Sequence, residues 1–173
     1  MDDFRPDIYK PSIYDINYEE LKTRGIKCLI FDLDNTLATM DMEIPSKKIM
    51  DFFLYLEELG FKLIILSNAS KKRVAPFKEK CNVDSAYKSM KPFKRKYNKI
   101  LTLYAYKDTE VACIGDQLLT DILGANKMGF TSILVNPMSK KEKLATKINR
   151  KIENMIYKHF LKRGIFRKGE YYD

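Results

Sequence analysis

Short, continuous apolar runs alternate with longer amphipathic stretches along most of this chain. Ile26 to Phe31 is an unbroken run ending at an acidic turn, the pattern of a strand buried on both faces. Pro45-Ser46 opens an amphipathic helix to Leu59, with Ile49, Phe52, Phe53, Leu56 and Leu59 at helical spacing and Gly60 as its stop. Phe61 to Leu66 predicts a second strand, Ser70 to Lys80 a helix, and Ala86-Tyr87 the centre of a short third strand. Pro92, a favoured first helical residue, opens a helix to about Tyr104. Val111 to Ile114 predicts a fourth strand, Leu118 to Met128 a helix closed by Gly129, and Thr131 to Val135 a fifth strand. This alternation predicts an α/β three-layer fold on a five-stranded parallel sheet with right-handed crossovers. The expected organisation is an N-terminal arm over residues 1–25, placed as an arm or short helix packing on the domain, a core over 26–137, and a C-terminal helix and tail over 138–173.

With 173 residues, 45% of them hydrophobic, the chain suits one domain with a sizeable core. The longest uninterrupted apolar stretches, Cys28 to Phe31 and Leu63 to Leu66, are strand-sized and far short of a bilayer span. The N-terminus has neither a basic nor an apolar signal region, so a cytoplasmic protein is expected. Cys28, Cys81 and Cys113 fall in no metal-binding spacing and read as buried reduced thiols, and one histidine, His159, argues against a Cys/His zinc site. The formal charge of +9 is uneven: residues 138–173 carry +7 of it, which points to an anionic partner or to a solvated helix face.

Ligands of parallel sheets bind beyond the carboxyl ends of the strands, and those ends carry chemistry here. The first strand runs into Asp32-Leu33-Asp34, the second into Ser67-Asn68 and the fourth into Gly115-Asp116, with Asp121 close behind and Lys91 before a helix. Carboxylates brought together repel unless a cation lies between them, and an all-oxygen set suits Mg²⁺. Asp32, Asp34 and Asp116 are therefore the expected metal-site residues, although Asp34 need not use its side chain there. Asp32 can attack phosphorus to form an aspartyl-phosphate, and Asp34 can exchange protons with the leaving oxygen and then with water. Ser67, with Asn68 beside it, can donate hydrogen bonds to the phosphoryl group, whose charge Lys91 can balance.

DLDNTL at 32–37, SN at 67–68, KP at 91–92 and GDQLLTD at 115–121 resemble the four motifs of the haloacid dehalogenase (HAD) superfamily, in order and on the right elements. The resemblance implies a HAD-like fold and a phosphoric monoester hydrolase with Asp32 as nucleophile, Asp34 as general acid/base, Ser67 and Lys91 as phosphate binders and Asp116 as the metal aspartate. Asp121 is expected to support the metal site from behind. The short segments Ala38 to Ile44 and Lys71 to Met90 leave no room for a cap domain, so an open site is expected. Over nearly the whole chain, SIYDI (12–16), GDQLLTDILGAN (115–126), LVNP (134–137) and NRKIE (149–153) resemble the YqeG-type branch of HAD subclass IIIA. That branch is similar to mitochondrial phosphatidylglycerophosphate phosphatases, which implies an Mg²⁺-dependent enzyme of phospholipid biosynthesis acting on an anionic phospholipid.

A helical wheel over the tail places Ala145, Ile148, Ile152, Met155 and Ile156 on one face and Lys143, Lys147, Arg150, Lys151 and Lys158 on another. Such a helix can lie peripherally on an anionic membrane, or pack its apolar face on the sheet and leave the basic one in water. Two other functions stay open at this level. One is a phosphatase of a soluble sugar or nucleotide phosphate. The other is a nucleic-acid or ribosome-associated protein, for which the tail has few interleaved aromatics.

Overall fold

A computed structural model describes residues 2–140 and 144–173. In chain order the elements are β1 (Ile8–Lys10), α1 (Tyr18–Thr23), β2 (Cys28–Phe31), α2 (Lys47–Glu58), β3 (Lys62–Leu66), α3 (Lys71–Cys81), β4 (Asp84–Ala86), α4 (Arg95–Tyr104), β5 (Val111–Gly115), α5 (Leu123–Met128), β6 (Thr131–Val135) and α6 (Leu144–Arg163). The strands form one parallel sheet in the order β1-β6-β5-β2-β3-β4. From β2 the chain winds outward through β3 and β4, then returns to the other side of β2 at β5. The strand order therefore reverses between β2 and β5, and a crevice opens beyond their carboxyl ends.

The sheet has six strands where five were expected. The sixth, β1, pairs Ile8, Tyr9 and Lys10 with Ile133, Leu134 and Val135. Three residues between Pro6 and Pro11 are too short to show a period, and what holds them is not local. Ser132 on β6 is fully buried, and the Asp7 carboxylate accepts from its backbone N–H at 2.8 Å and its hydroxyl at 3.0 Å. The outer edge of β1 is covered by the C-terminal segment, whose Tyr172 exchanges two backbone hydrogen bonds with Tyr9.

Alternation along β2 sends its side chains into two cores. Leu29 and Phe31 pack with Ile49, Phe53, Val74 and Phe77 from α2 and α3, whereas Cys28 and Ile30 pack with Tyr97 and Ile100 of α4 and Ala125 of α5. All three cysteines are buried and unpaired, as expected. Boundaries moved where turn chemistry intervened. The strand expected at Ala86-Tyr87 ends at Ala86, and α4 starts at Arg95 instead of Pro92, because Lys88 and Met90 take left-handed conformations in the turn between them. The helix expected from Leu118 begins as a wide π-type turn, Leu118–Ile122, before α5.

The C-terminal helix packs on the sheet, but not by the face its hydrophobicity suggests. Of the residues expected on the apolar face, Ile156 is buried, and the side chain of Ala145 lies outside the described ones. Ile148, Ile152 and Met155 are exposed, and Phe160, Phe166, Tyr9, Leu134, Leu118 and Ile122 form the interface with Ile156. The expectation for Lys143 falls outside the described residues. This rotation yields a direct test. Phe160→Ala removes a ring with no exposed surface and is expected to cost about 3–5 kcal/mol in urea unfolding. Met155→Gln, at a position 71% exposed, is expected to stay within about 0.5 kcal/mol of the parent. Reversed sizes would place the helix on its other face.

Candidate active site

The crevice at the switch point is built by four segments. After β2 the chain turns through residues 32–38, where Asn35 holds φ at 68°, a left-handed conformation that its short polar side chain tolerates. The turn closes on Leu33, whose carbonyl accepts from the Leu37 and Ala38 N–H groups. It leaves Asp32 at the strand end and turns Asp34 away from it. After β5, Gly115 is required by close approach: a Cβ there would lie 2.2 Å from the Asp121 Cγ. The π-type turn that follows swings Asp121 back against that glycine, and such turns recur at functional sites.

Three carboxylates meet as a result. Asp32, Asp116 and Asp121 are all buried, and each offers an oxygen within 4.8 Å of the others. Lys91 Nζ donates to Asp32 Oδ1 and to Asp121 Oδ1, both at 2.6 Å. The lysine is itself held by Asn68, whose Oδ1 accepts from the Lys91 N–H and the Ser89 hydroxyl, both at 2.8 Å. Asn68, expected at the phosphate, thus orders the turn that carries the lysine, while still lining the cavity. Ser67 is buried beneath, its Oγ accepting from the Ala69 N–H at 3.1 Å.

Asp34 does not join the carboxylate cluster. Its Oδ1 accepts from Arg73 Nε at 2.8 Å, and the same guanidinium reaches the Met42 and Thr39 carbonyls. Asp121, expected behind the site, brings a carboxylate oxygen into the cluster beside Asp32 and Asp116. Arg73 was not singled out by sequence reasoning; the only hint was its place in the basic start of the helix after Ser67-Asn68.

A second residue was missed for a better reason. Arg150, expected on the basic outer face of the C-terminal helix, turns inward from α6 and pairs with the Asp116 carboxylate. Its Nη1 donates to the Asp116 carbonyl at 2.6 Å and to Glu153 Oε2 at 2.9 Å. Glu153 is 1% exposed and its Oε1 accepts from the Leu119 N–H at 3.1 Å. The available signal was NRKIE, which places an arginine and a glutamate three residues apart on one helix face.

Electrostatics follow from this packing. Burial pushes the Asp32 carboxyl up to about 6, with Lys91 pulling it down and Asp121 pushing it up. Burial also drives Asp116 well above the usual carboxylate range, against the pull of Arg150. Burial alone would lower the Lys91 ammonium, but Asp121 and Asp32 more than offset it and the group stays charged. Four carboxylates, Asp32, Asp116, Asp121 and Glu153, face two cations, Lys91 and Arg150. With all four ionised, the described residues leave two negative charges unmatched, and the donors are hard oxygens. That fits a divalent ion of the Mg²⁺ class. Above it lies a cavity of about 210 Å³ lined by Asp32, Asp34, Ser67, Asn68, Lys91 and, from the far side, Gln117, Thr146 and Asn149.

Comparison with known proteins agrees with this layout. The family model described as mitochondrial PGP phosphatase matches residues 2–140. "Probable phosphatase YqeG" of Bacillus subtilis (strain 168) is 35% identical over 161 residues, 93% of this chain and 94% of that protein. Phosphatidylglycerophosphate phosphatase 1, chloroplastic/mitochondrial, of Arabidopsis thaliana is 25% identical over 87% of this chain, which spans 46% of its length. Among solved structures, one described as a HAD-superfamily (subfamily III A) hydrolase from Legionella pneumophila superposes with a TM-score of 0.52 at 22% identity, covering 69% of this chain and 71% of that one. That likeness is one of fold.

The shared lysine supplies the test of the cluster. Lys91→Met leaves Asp32 and Asp121 buried without their common partner and is expected to cost about 3–5 kcal/mol in urea unfolding. Adding Asp121→Asn should recover part of that loss. A cost under about 1 kcal/mol would show that the lysine does not hold the carboxylates together.

Proposed function

The chain belongs to the mitochondrial PGP phosphatase family and is a HAD-type phosphatase, and on that premise we propose that it hydrolyses the terminal phosphate of phosphatidylglycerophosphate through an aspartyl-phosphate. The observation that carries this reading is the pairing of roles within one turn. Asp32 faces the cavity between Lys91 and the carboxylate cluster, while Asp34, two residues on, lines the same cavity on a separate anchor, Arg73.

A phosphomonoester seated in the cavity meets Ser67 and Lys91 at its phosphoryl oxygens, and hydrogen bonds from buried donors stabilise charge developing there. An Asp32 oxygen forms the new bond to phosphorus as the bond to the ester oxygen breaks, and Asp34 gives that leaving oxygen its proton. Water then attacks phosphorus, Asp34 takes the water's proton, the Asp32–phosphorus bond breaks, and inorganic phosphate leaves. Asp32, Asp116 and Asp121 would hold Mg²⁺, which when bound neutralises phosphoryl charge.

The lipid part of the reading has its own support. The site carries no cap, so a phosphate presented by a bulky surface can reach it. On α6 the exposed Ile148, Ile152 and Met155 form a ridge at helical spacing, with Lys147, Lys151 and Lys158 exposed beside it. An apolar ridge bordered by lysines suits the boundary of an anionic bilayer. No helix among the described residues is long and apolar enough to cross a membrane, so contact would be peripheral.

Two outcomes are expected. Asp32→Asn keeps the turn and the fold but loses phosphate release from every substrate; substantial turnover by a clean preparation would remove the covalent mechanism. Replacing Lys147, Lys151 and Lys158 with Gln should reduce co-sedimentation with anionic liposomes and activity on phosphatidylglycerophosphate in those vesicles, more at low than at high salt, while a soluble aryl phosphate is hydrolysed at the parental rate. Full retention on vesicles would assign these lysines to solvent.

A further inference from the structure

The groups that attack and neutralise phosphate enter the cavity from the ends of the strands. Its opposite wall has a different chemistry. Thr146 and Asn149 from the first turns of α6, together with Gln117 from the loop after β5, are neutral hydrogen-bonding side chains. Asn149 Nδ2 donates to Gln117 Oε1 at 3.1 Å, and the Gln117 N–H donates to Asp121 Oδ2 at 3.1 Å. The wall is therefore linked through two hydrogen bonds to the carboxylate cluster.

The helix that carries it is anchored at the carboxylate cluster. Arg150 grips both the carboxylate and the carbonyl of Asp116, and Glu153 grips Arg150 and the Leu119 N–H. Two turns on, Phe160 is locked in the core. Asn149 is the direct neighbour of Arg150, so the distance from this wall to the reacting centre is set by a buried ion pair. Such preorganisation is what turns a surface into a recognition site.

The wall's composition narrows what it can recognise. Among the described residues the cavity lining holds no aromatic ring on which a nucleobase could stack, and its volume of about 210 Å³ is below the roughly 300–1,000 Å³ of sites that enclose drug-sized ligands. Amide and hydroxyl side chains are poor partners for acyl chains and good ones for hydroxyl groups.

We propose that the start of α6 is the leaving-group subsite of this enzyme, in which Asn149 and Thr146, oriented by Gln117, hydrogen-bond the hydroxyl groups of a polyol next to the scissile phosphate. This rests on the phosphatase reading above and names the chemistry beside the phosphate. In a glycerophospholipid that carries a terminal phosphate on glycerol, the glycerol lies in this subsite and the remainder of the lipid projects out of the crevice.

The test is a specificity ratio, which cancels any loss of folded protein. For the parent, Asn149→Leu and Thr146→Val, kcat/KM is measured on glycerol 3-phosphate, on phenyl phosphate and on a nucleoside 5′-monophosphate. The ratio of glycerol 3-phosphate to phenyl phosphate is expected to fall about tenfold in Asn149→Leu, with the change mainly in KM, and by a smaller factor in Thr146→Val. An unchanged ratio in both variants would overturn the subsite, and so would a larger fall for the nucleotide than for glycerol 3-phosphate. Failure of the parent to release phosphate from any of the three and from phosphatidylglycerophosphate in mixed micelles would overturn the phosphatase reading itself, whereas turnover with unchanged ratios overturns the subsite alone.

Discussion

Crowding carboxylates into a dry site is the constraint around which this molecule is built. Asp32, Asp116, Asp121 and Glu153 are each at most 8% exposed, and desolvation raises three of them, Asp32, Asp116 and Glu153, above their ordinary ranges. Left unpaired, such groups would take up protons or open the fold. Lys91 bridges two of them and Arg150 the other two. Other features are consequences of that arrangement: the glycine at 115 that lets Asp121 approach, the π-type turn that aims it, and Asn68 clamping the loop that delivers Lys91.

The same constraint gives α6 its place. A helix beyond the last strand is held beside the crevice by an ion pair to a cluster aspartate. Because Arg150 and Glu153 use the inward face, Ile148, Ile152 and Met155 are turned outward, and the exposed apolar ridge is a by-product of anchoring the site. One helix thus connects the carboxylate cluster, the wall of the cavity and an exposed apolar ridge bordered by lysines.

Much of this was legible in the sequence, and what was not has physical reasons. β2, β3, β5 and β6 are apolar runs because a central parallel strand is buried on both faces, and the acidic residues that interrupt those runs are the site residues. β1 was invisible because three residues carry no period and its pairing is fixed by Asp7 meeting a buried serine at position 132. The packed face of α6 was not legible because a hydrophobic wheel counts apolar side chains, whereas half-buried Arg150 and buried Glu153 help to fix the docking. That Asp34 pairs with Arg73 was not legible, because spacing in sequence does not report which carboxylate an arginine engages.

Among the described residues the ionised cluster would carry two negative charges beyond those that Lys91 and Arg150 balance, which one divalent ion would match. Calorimetric titration of the chelator-treated protein with Mg²⁺ tests that match without reference to turnover. One ion per chain is expected, with a raised thermal midpoint in its presence and loss of both effects in Asp116→Asn, which removes a cluster carboxylate. Absence of binding by the parent, or binding that survives unchanged in Asp116→Asn, would contradict that match.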